Sequence, residues 1–309
     1  METILFFIIQ IILIPLISPF FIGLTRKVKA RMQNRTGASP FQPYKDLWKL
    51  FHKDEVISVD ASWIFKAAPY IIFSTTIIIG ASIPLITTLT TNSYMGDFLV
   101  IVYLIALGTF FLALAGLDTG GAFGGFASSR EMVVSALTEG GLILSLLILA
   151  LISHSTNLTT ITSTISSLSY LNFAPVILAF LSFIISILAE NNRYPFDNPA
   201  THLELTMIHE AMILEYSGKK LALMEWASAN KYLIFIALGV NLFIPWGIAT
   251  SLNWVTTLTA LVIFLTKVSV FCILIATLES SIAKLRFFKL PSLLFTSLVF
   301  CIIALGLII

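Results

Sequence analysis

The sequence has few charged residues and almost no cysteine. Only 11% of its 309 residues are Asp, Glu, Lys or Arg, against roughly 25% in soluble globular proteins. The two cysteines, Cys272 and Cys301, lie in separate apolar runs and lack the spacing of a metal-ligand motif. A soluble domain is therefore excluded, and we expect no iron–sulfur cluster or structural zinc in this chain.

The charges that are present give no support for nucleic-acid binding. The chain carries 18 Lys and Arg against 16 Asp and Glu, for a net charge of +2. These charges are separated by loop and form no concentrated basic patch of the kind that nucleic acid requires. A content of 58% hydrophobic residues instead indicates a membrane protein that is embedded in the lipid bilayer.

Long apolar runs dominate the sequence. About 20 predominantly apolar residues are enough for a helix to cross a bilayer. We therefore predict an all-α, multi-pass membrane domain over residues 1–309 with eight transmembrane helices. The predicted spans are Ile4–Leu24, Ala67–Leu89, Phe98–Leu117, Met132–Ser153, Leu171–Ala189, Tyr232–Gly247, Trp254–Leu278 and Ser292–Ile309. Because no small-residue cleavage site follows the first span, we expect it to be retained.

The basic residues alternate between successive loops. Every Lys and Arg except Lys267 falls in the first, third, fifth or seventh loop, and the other loops have none. Basic loops of membrane proteins lie in the cytoplasm. We predict a cytoplasmic (inner) membrane protein with both termini outside and two long cytoplasmic loops, 25–66 and 190–231. These loops either dock a partner or are simply solvated.

The fifth loop gathers protonatable side chains. Pro195 and Pro199 each disfavour helix at the preceding residue, and nothing then breaks a helix before Gly218, a common helix stop. We predict an amphipathic helix over Ala200–Ser217, packed at the cytoplasmic edge of the membrane. The protonatable residues in and beside it are Glu190, Asp197, His202, Glu204, His209, Glu210 and Glu215.

These side chains suit proton transfer. Neighbouring carboxylates that are partly desolvated can share protons, and histidine titrates near neutral pH. His202 and His209 share a helix face, but Glu204 points elsewhere and the spacings HxxxH and HExxH are absent. A metal site formed with Glu210 is therefore not expected. A helix whose charges simply stay solvated is the remaining alternative.

Two charged residues lie inside predicted spans. Glu139 is in the fourth span, before Gly140 and Gly141, and Lys267 is in the middle of the seventh. Each costs about 2.5–3.5 kcal/mol on membrane-insertion scales, so a partner or a wet cavity is expected. We predict a functional role for both, with a structural ion pair as the alternative.

Several motifs resemble one known family, that of complex I subunit 1. RYPFDNPATHLEL…LEYSG resembles its signature loop, and KARMQNRTGASPFQPYKDLWKLF resembles its first cytoplasmic loop. GLDTGGAF…ASSRE, KLFHKDEVISVDASWIF and LTKVSVFCILIATLESSIAKLR are closer to the hydrogenase branch of the family. That branch includes subunit 4 of formate hydrogenlyase, component C of hydrogenase 4 and the related subunit of membrane-bound hydrogenases.

The resemblance implies that this chain has no catalytic role of its own. Members of the family anchor a cytoplasmic redox arm and relay its energy to antiporter-like proton or sodium pumps. The implied partners are hydrogenase-like large and small subunits, a ferredoxin-like iron–sulfur subunit and antiporter-like membrane subunits. A [NiFe] centre and iron–sulfur clusters would belong to those partners. This chain is expected to hold no catalytic site, cofactor or metal.

The resemblance also assigns functional carboxylates, which correspond to Glu139, Asp197, Glu204 and Glu215. Residues of the fifth loop and of the spans extend this set. We predict that proton transfer or coupling involves Glu139, Glu190, Asp197, His202, Glu204, Glu215 and Lys267. We predict that docking of the cytoplasmic arm involves Arg35, Arg130, Arg193, His209 and Glu210.

The sequence departs from the quinone-reducing members in two places. Ala200 and His202 stand where those members have acidic residues, and GAS replaces a Gly-Pro-Asn in the first loop. Both differences favour the hydrogenase branch over the alternative of a quinone-site subunit. A stand-alone secondary transporter is a third alternative, but the internal repeats typical of that class are absent from the sequence.

Overall fold

The computed structural model describes residues 2–88, 96–168, 173–197, 208–249, 251 and 253–308. Within these ranges the regular structure is helical and contains no β-sheet. The helices are α1 (Glu2–Met32), α2 (Gln42–Phe51), α3 (Trp63–Ser82), α4 (Phe98–Asp118), α5 (Ala122–Ser153), α6 (Leu158–Ser166), α7 (Ala174–Glu190), α8 (His209–Met212), α9 (Gly218–Leu242), α10 (Trp254–Ser281) and α11 (Leu290–Gly306).

The predicted all-α membrane architecture is confirmed. Among the described residues, seven helices are long and apolar enough to cross a membrane, namely α1, α3, α4, α5, α9, α10 and α11. The shorter apolar helix α7, of 17 residues, stands where the fifth span was predicted. The chain is therefore a multi-pass membrane protein.

The sixth span differs from the prediction. Tyr232–Gly247 was expected, but α9 runs over Gly218–Leu242. The prediction is wrong at the amino-terminal end because the three lysines that precede Tyr232, namely Lys219, Lys220 and Lys231, resemble loop residues. In the structure two of these lysines are paired with carboxylates: Lys220 with Glu55, and Lys231 with Glu190. The second half of α9, from Tyr232 onward, is buried throughout and forms the centre of the fold.

The predicted helix Ala200–Ser217 also differs. Residues 198–207 lie outside the described part of the chain, and after them the helix α8 covers only His209–Met212. The prediction is wrong for residues 213–217, because tertiary contacts fix this segment in another conformation. Tyr216 stacks on Phe65 at 3.9 Å between ring centroids and donates a hydrogen bond to its carbonyl. Gly218, expected to end a helix, instead begins α9.

Hydrogen bonds join the loops of each membrane side to one another. The first, third, fifth and seventh loops meet on one side, which we name the basic side; the second, fourth and sixth meet on the other. This agrees with the predicted alternation of spans. The bonds on the basic side include Val56 N to Ser217 Oγ (2.8 Å), Ser62 N to Asp118 Oδ2 (2.7 Å) and Leu285 N to Pro195 O (3.0 Å). Those on the other side include Ala249 N to Ile86 O and Leu158 N to Gly96 O, both 2.8 Å.

Helix α1 contains Pro15 and Pro19, and the second of these frees a backbone carbonyl for another partner. Because Pro19 has no N–H, the carbonyl of Pro15 lacks its helical donor and instead accepts a hydrogen bond from Trp226 Nε1 at 2.9 Å. One residue further along, Leu16 O accepts from the Tyr44 hydroxyl of α2 at 2.6 Å. Helix α2 therefore lies beside the middle of α1 rather than free in the first loop.

Candidate functional site

A cluster of buried polar side chains lies where α5, α7 and α9 meet. We name the four residues Glu131, Glu190, Asn192 and Lys231 the inner cluster. Glu190 Oε2 lies 2.8 Å from Lys231 Nζ, and Asn192 Nδ2 donates to Glu131 Oε1 at 3.4 Å. Both glutamates are 4% exposed. One lysine therefore faces two buried carboxylates.

The end of α7 brings Glu190 and Asn192 into this cluster. Asn192 has a φ of 49°, in the left-handed region that Asn tolerates better than most residues. Arg193 N then donates to Leu188 O at 2.8 Å, which closes the end of the helix as Schellman-type turns do. The chain turns sharply here, so Asn192 faces the protein interior and the next residues run along the basic side.

Several oxygens of the inner cluster have no hydrogen-bond partner among the described residues. They are Glu131 Oε2, Glu190 Oε1 and Asn192 Oδ1, each fully enclosed. An unsatisfied buried polar atom costs about 1–3 kcal/mol, and more if charged. Bound protons or ordered water would satisfy these atoms. The arrangement can therefore hold at least one exchangeable proton between two carboxylates and one ammonium group.

Three cavities that share lining residues lie between the inner cluster and the basic side. The inner cavity contains the cluster and shares Asn191, Asn192, His209 and Ser228 with a middle cavity. The middle cavity shares Arg26, Asp46, Glu210 and Glu225 with a wide opening that we name the basin. The remaining charged residues that line the basin are Lys29, Arg35, Lys49, Lys53, Arg193 and Glu279. The three cavities therefore lie in succession between the basic side and the buried carboxylates.

His209 lies at the junction of the inner and middle cavities. Burial is the main cause that lowers the pKa of His209 to about 4; the nearby Lys231 contributes to this lowering, and Asp197 opposes it. The imidazole is therefore neutral at pH 7. It can accept or donate a hydrogen bond there, but it does not add a positive charge.

A second set of charges closes the basic side of the bundle. Glu279, whose side chain is fully buried, lies 2.9 Å from Lys29 Nζ and 3.3 Å from Arg193 Nη1. The Arg193 guanidinium also lies over the Tyr232 ring, 4.5 Å from its centroid. These contacts tie α1, the fifth loop and α10 to α9. We name Lys29, Arg193 and Glu279 the charge clamp.

The predicted residues of the fifth loop fall into different environments. Asp197 is buried, lies 2.6 Å from Lys284 Nζ and accepts a hydrogen bond from Ile208 N. Glu210 lines the middle cavity and the basin. Glu215 is exposed and does not line the three cavities. His202 and Glu204 lie outside the described residues, so their predicted roles remain predictions.

The two predicted intramembrane charges also differ in position. Glu139 is partly buried in α5, accepts a hydrogen bond from Ser135 Oγ at 3.1 Å and lies within electrostatic range of Glu190 and Lys231. Lys267 instead donates to Ile244 O, at 2.6 Å, just beyond the end of α9. It compensates the negative end of that helix. Glu139 therefore belongs beside the inner cluster, whereas Lys267 is engaged with a helix end.

The remaining predicted docking residues lie on the basic side. Arg35 is exposed and lines the basin. Arg130 lies 4.6 Å from the centre of the Phe126 ring, at the beginning of α5. Within the described ranges, no group of three or more His, Cys, Asp or Glu side chains could hold a metal ion.

Sequence reasoning missed three central residues: Glu131, Lys231 and Glu279. Glu131 and Lys231 lie at the ends of predicted spans and were assigned to loops, and Glu279 follows the seventh predicted span directly. One signal was available. Glu279 continues the stripe of Val268, Cys272 and Ile275 on the buried face of α10, as helical spacing requires. A charge on such a stripe indicates a buried ion pair.

The fold and this site define a polytopic α-helical membrane protein with a buried charge cluster. A family model described as NADH dehydrogenase matches residues 4–309, and the chain belongs to that family. This finding agrees with the family predicted from the sequence motifs.

Relatives of this chain carry related names. It is 35% identical to hydrogenase-4 component C of Escherichia coli (strain K12), over 92% of this chain and 89% of that protein. It is 32% identical to formate hydrogenlyase subunit 4 of the same organism, over 98% and 97%. Identity with NADH-ubiquinone oxidoreductase chain 1 of Dictyostelium citrinum is 29%, over 78% of each protein. Each relative is named as one component, subunit or chain of a larger enzyme.

A solved structure has the same fold. It belongs to the membrane-bound sulfane sulfur reductase, an archaeal respiratory membrane complex, and superposes with a TM-score of 0.82. The match covers 98% of this chain and 100% of that one, at 19% sequence identity.

Proposed function

We propose that this chain is the non-catalytic membrane subunit of a hydrogenase-like, complex I-related assembly. It anchors a redox arm on the basic side and couples electron transfer there to the translocation of protons or sodium ions. The observation that carries the proposal is the inner cluster, in which two buried carboxylates share one lysine. The cavity that contains this cluster adjoins the middle cavity, which in turn adjoins the basin. The similarity to hydrogenase-4 component C and formate hydrogenlyase subunit 4 supports the same assignment.

The inner cluster supplies the coupling step. A proton enters through the basin and middle cavity and binds at Glu131 or Glu190, because Lys231 neutralises only one carboxylate at a time. Low-polarity surroundings strengthen the interaction between these charges. A small shift of the turn that carries Asn192 changes which carboxylate the lysine stabilises. The proton then moves on toward Glu139, which lies within electrostatic range of Glu190 and Lys231.

The basin is the proposed docking surface for the redox arm. Arg35, Lys49 and Lys53 are exposed around its opening, and they suit acidic residues of a cytoplasmic partner. The partners that we propose are hydrogenase-like large and small subunits and a ferredoxin-like iron–sulfur subunit, with antiporter-like subunits in the membrane. Any [NiFe] centre or iron–sulfur cluster belongs to those partners.

Substitution of Glu139 tests the coupling role. Glu139→Gln keeps the volume and can still accept the Ser135 hydrogen bond, but it removes the titratable group. In the assembled complex, we expect redox-driven ion uptake into vesicles to fall at least about tenfold, as for loss of a proton-transfer group, while electron transfer continues in the presence of an uncoupler.

The matched control for this test is Asp60→Asn, which makes the same chemical change at an exposed loop position and should pump normally. The purified chain alone, in vesicles, should exchange neither H⁺ nor Na⁺. Normal pumping by Glu139→Gln would show that this carboxylate is structural. Ion exchange by the isolated chain would favour a stand-alone transporter.

Cysteine labelling tests the orientation. We propose that the basic side faces the cytoplasm. Ser39 and Ser163 are exposed on opposite sides, and the native Cys272 and Cys301 are buried. We expect Ser163→Cys to react with an impermeant maleimide in intact cells, and Ser39→Cys to react only after permeabilisation. The reverse pattern would contradict the cytoplasmic assignment of the basin.

A further inference from the structure

Residues 54–58 form a short extended segment that lies across the beginning of α9. Val56 N donates a hydrogen bond to Ser217 Oγ, and this hydroxyl donates one to Val56 O, both at 2.8 Å. The amide and the carbonyl of Val56 therefore point to the same side, as in a β-strand. Gly218 permits the close approach, because a side chain there would come within 2.7 Å of Asp54 O. Ser217 thus takes the place of a neighbouring strand along one edge of the segment.

The side chains of this segment alternate as those of a strand do. Glu55 pairs with Lys220, and Ile57 packs against the smaller buried core of the protein. Val56 lies between them, points outward and is 74% exposed. One face of the segment is therefore fixed to the protein, while the other face is turned to solvent.

The second edge of the segment is open. In an extended chain the backbone groups of successive residues point to opposite edges, so those of Glu55 and Ile57 point away from Ser217. Among the described residues, no hydrogen bond reaches the backbone N–H or C=O of either one. A row of unpaired backbone groups is a template for another extended chain, and the side chains beside it select the partner.

The surroundings of the open edge indicate a protein partner. Asp54 is exposed beside the edge, whereas Glu55 is already neutralised by Lys220. An exposed carboxylate and open backbone groups do not enter lipid, but they suit an extended chain that carries a basic residue. The edge also adjoins the basin, because Lys53, the residue before the segment, lines that opening. A protein seated on the basin can therefore reach the edge.

We propose that the open edge binds an extended segment of the redox arm by β-strand addition. The backbone of that segment pairs with Glu55 and Ile57, and one of its lysines or arginines meets Asp54. The inference rests on the proposed function, because the redox arm is the partner assigned to the basic side. It adds a second attachment beside the basin and states how the two chains recognise each other.

Amide hydrogen exchange, read residue by residue by mass spectrometry, tests the pairing. The complete complex is compared with the isolated full chain. We expect assembly to slow exchange of the Glu55 and Ile57 amides at least about tenfold, because each gains a hydrogen bond. The amides of Val56 and Ser58 point to the other edge and should change less than about twofold. Equal protection of all four amides, or protection of none, would overturn the proposal.

A proline variant tests the same contact in the assembled complex. Ile57→Pro removes the amide hydrogen that the partner needs, and it keeps the preceding residue extended. Ile57→Val is the matched control, because it also shortens the buried side chain but retains the amide. As salt is raised, we expect the arm to dissociate about fivefold more readily from the proline variant and normally from the valine variant. Equal retention by the two variants, or equal loss from both, would contradict strand addition.

These measurements separate the inference from the proposed function, because ion transport enters neither of them. A wild-type chain that binds no redox arm would contradict both. An arm that binds without the alternating protection would contradict strand addition alone and leave the basin as the docking surface.

Discussion

Replacing Lys231 with methionine should reduce redox-driven ion transport to background in the assembled complex. Lys231 is the cation that faces Glu190 at 2.8 Å, and Glu131 lies in the same cavity. Without Lys231, the two buried carboxylates have no nearby cation. Breaking a buried ion pair in this way destabilises a protein by about 3–5 kcal/mol. We expect at least one of them to remain protonated, so that proton exchange stops. The measurement is proton uptake per electron transferred in vesicles.

A double variant separates transport from stability. Glu190→Gln with Lys231→Met removes both members of the pair, so thermal stability should recover toward that of the wild type while transport stays lost. Lys231→Arg keeps the positive charge and should retain part of the transport. Normal uptake by Lys231→Met, in a complex that contains all its subunits, would contradict the assignment of the inner cluster.

Replacing Glu279 with glutamine should destabilise the chain strongly. The charge clamp holds this fully buried carboxylate between Lys29 and Arg193. Glutamine fills the same space, but two cations then face no anion. We expect a loss of about 3–5 kcal/mol, as for other broken buried pairs. A lower thermal unfolding midpoint in detergent, and less chain incorporated into the membrane, would report this loss.

Two controls sharpen this measurement. Glu215→Gln makes the same change at an exposed position and should alter stability by no more than about 0.5 kcal/mol. Lys29→Met leaves the pair between Arg193 and Glu279 intact, so its effect should be well below that of Glu279→Gln. An unfolding midpoint of Glu279→Gln equal to that of Glu215→Gln would show that the clamp contributes little.

The sequence by itself determined the membrane architecture. Whether a segment crosses a bilayer depends mainly on its own length and apolar content, because no water in the hydrocarbon core can satisfy its backbone. The third span was predicted as Phe98–Leu117 and is Phe98–Asp118 in the structure. The alternation of basic loops also followed from the sequence. The side on which a loop lies depends on its own Lys and Arg content and on the spans that flank it.

The tertiary structure alone decided where α9 begins, how the fifth loop folds and which charges meet. Lys29 and Glu279 are 250 residues apart in sequence, yet their side chains are 2.9 Å apart. Lys220 and Lys231 of α9 resemble loop residues until Glu55 and Glu190 are seen beside them. The environment of a buried charge depends on helices packed from distant parts of the chain. No local pattern contains that information, so the inner cluster emerged only when α5, α7 and α9 were assembled.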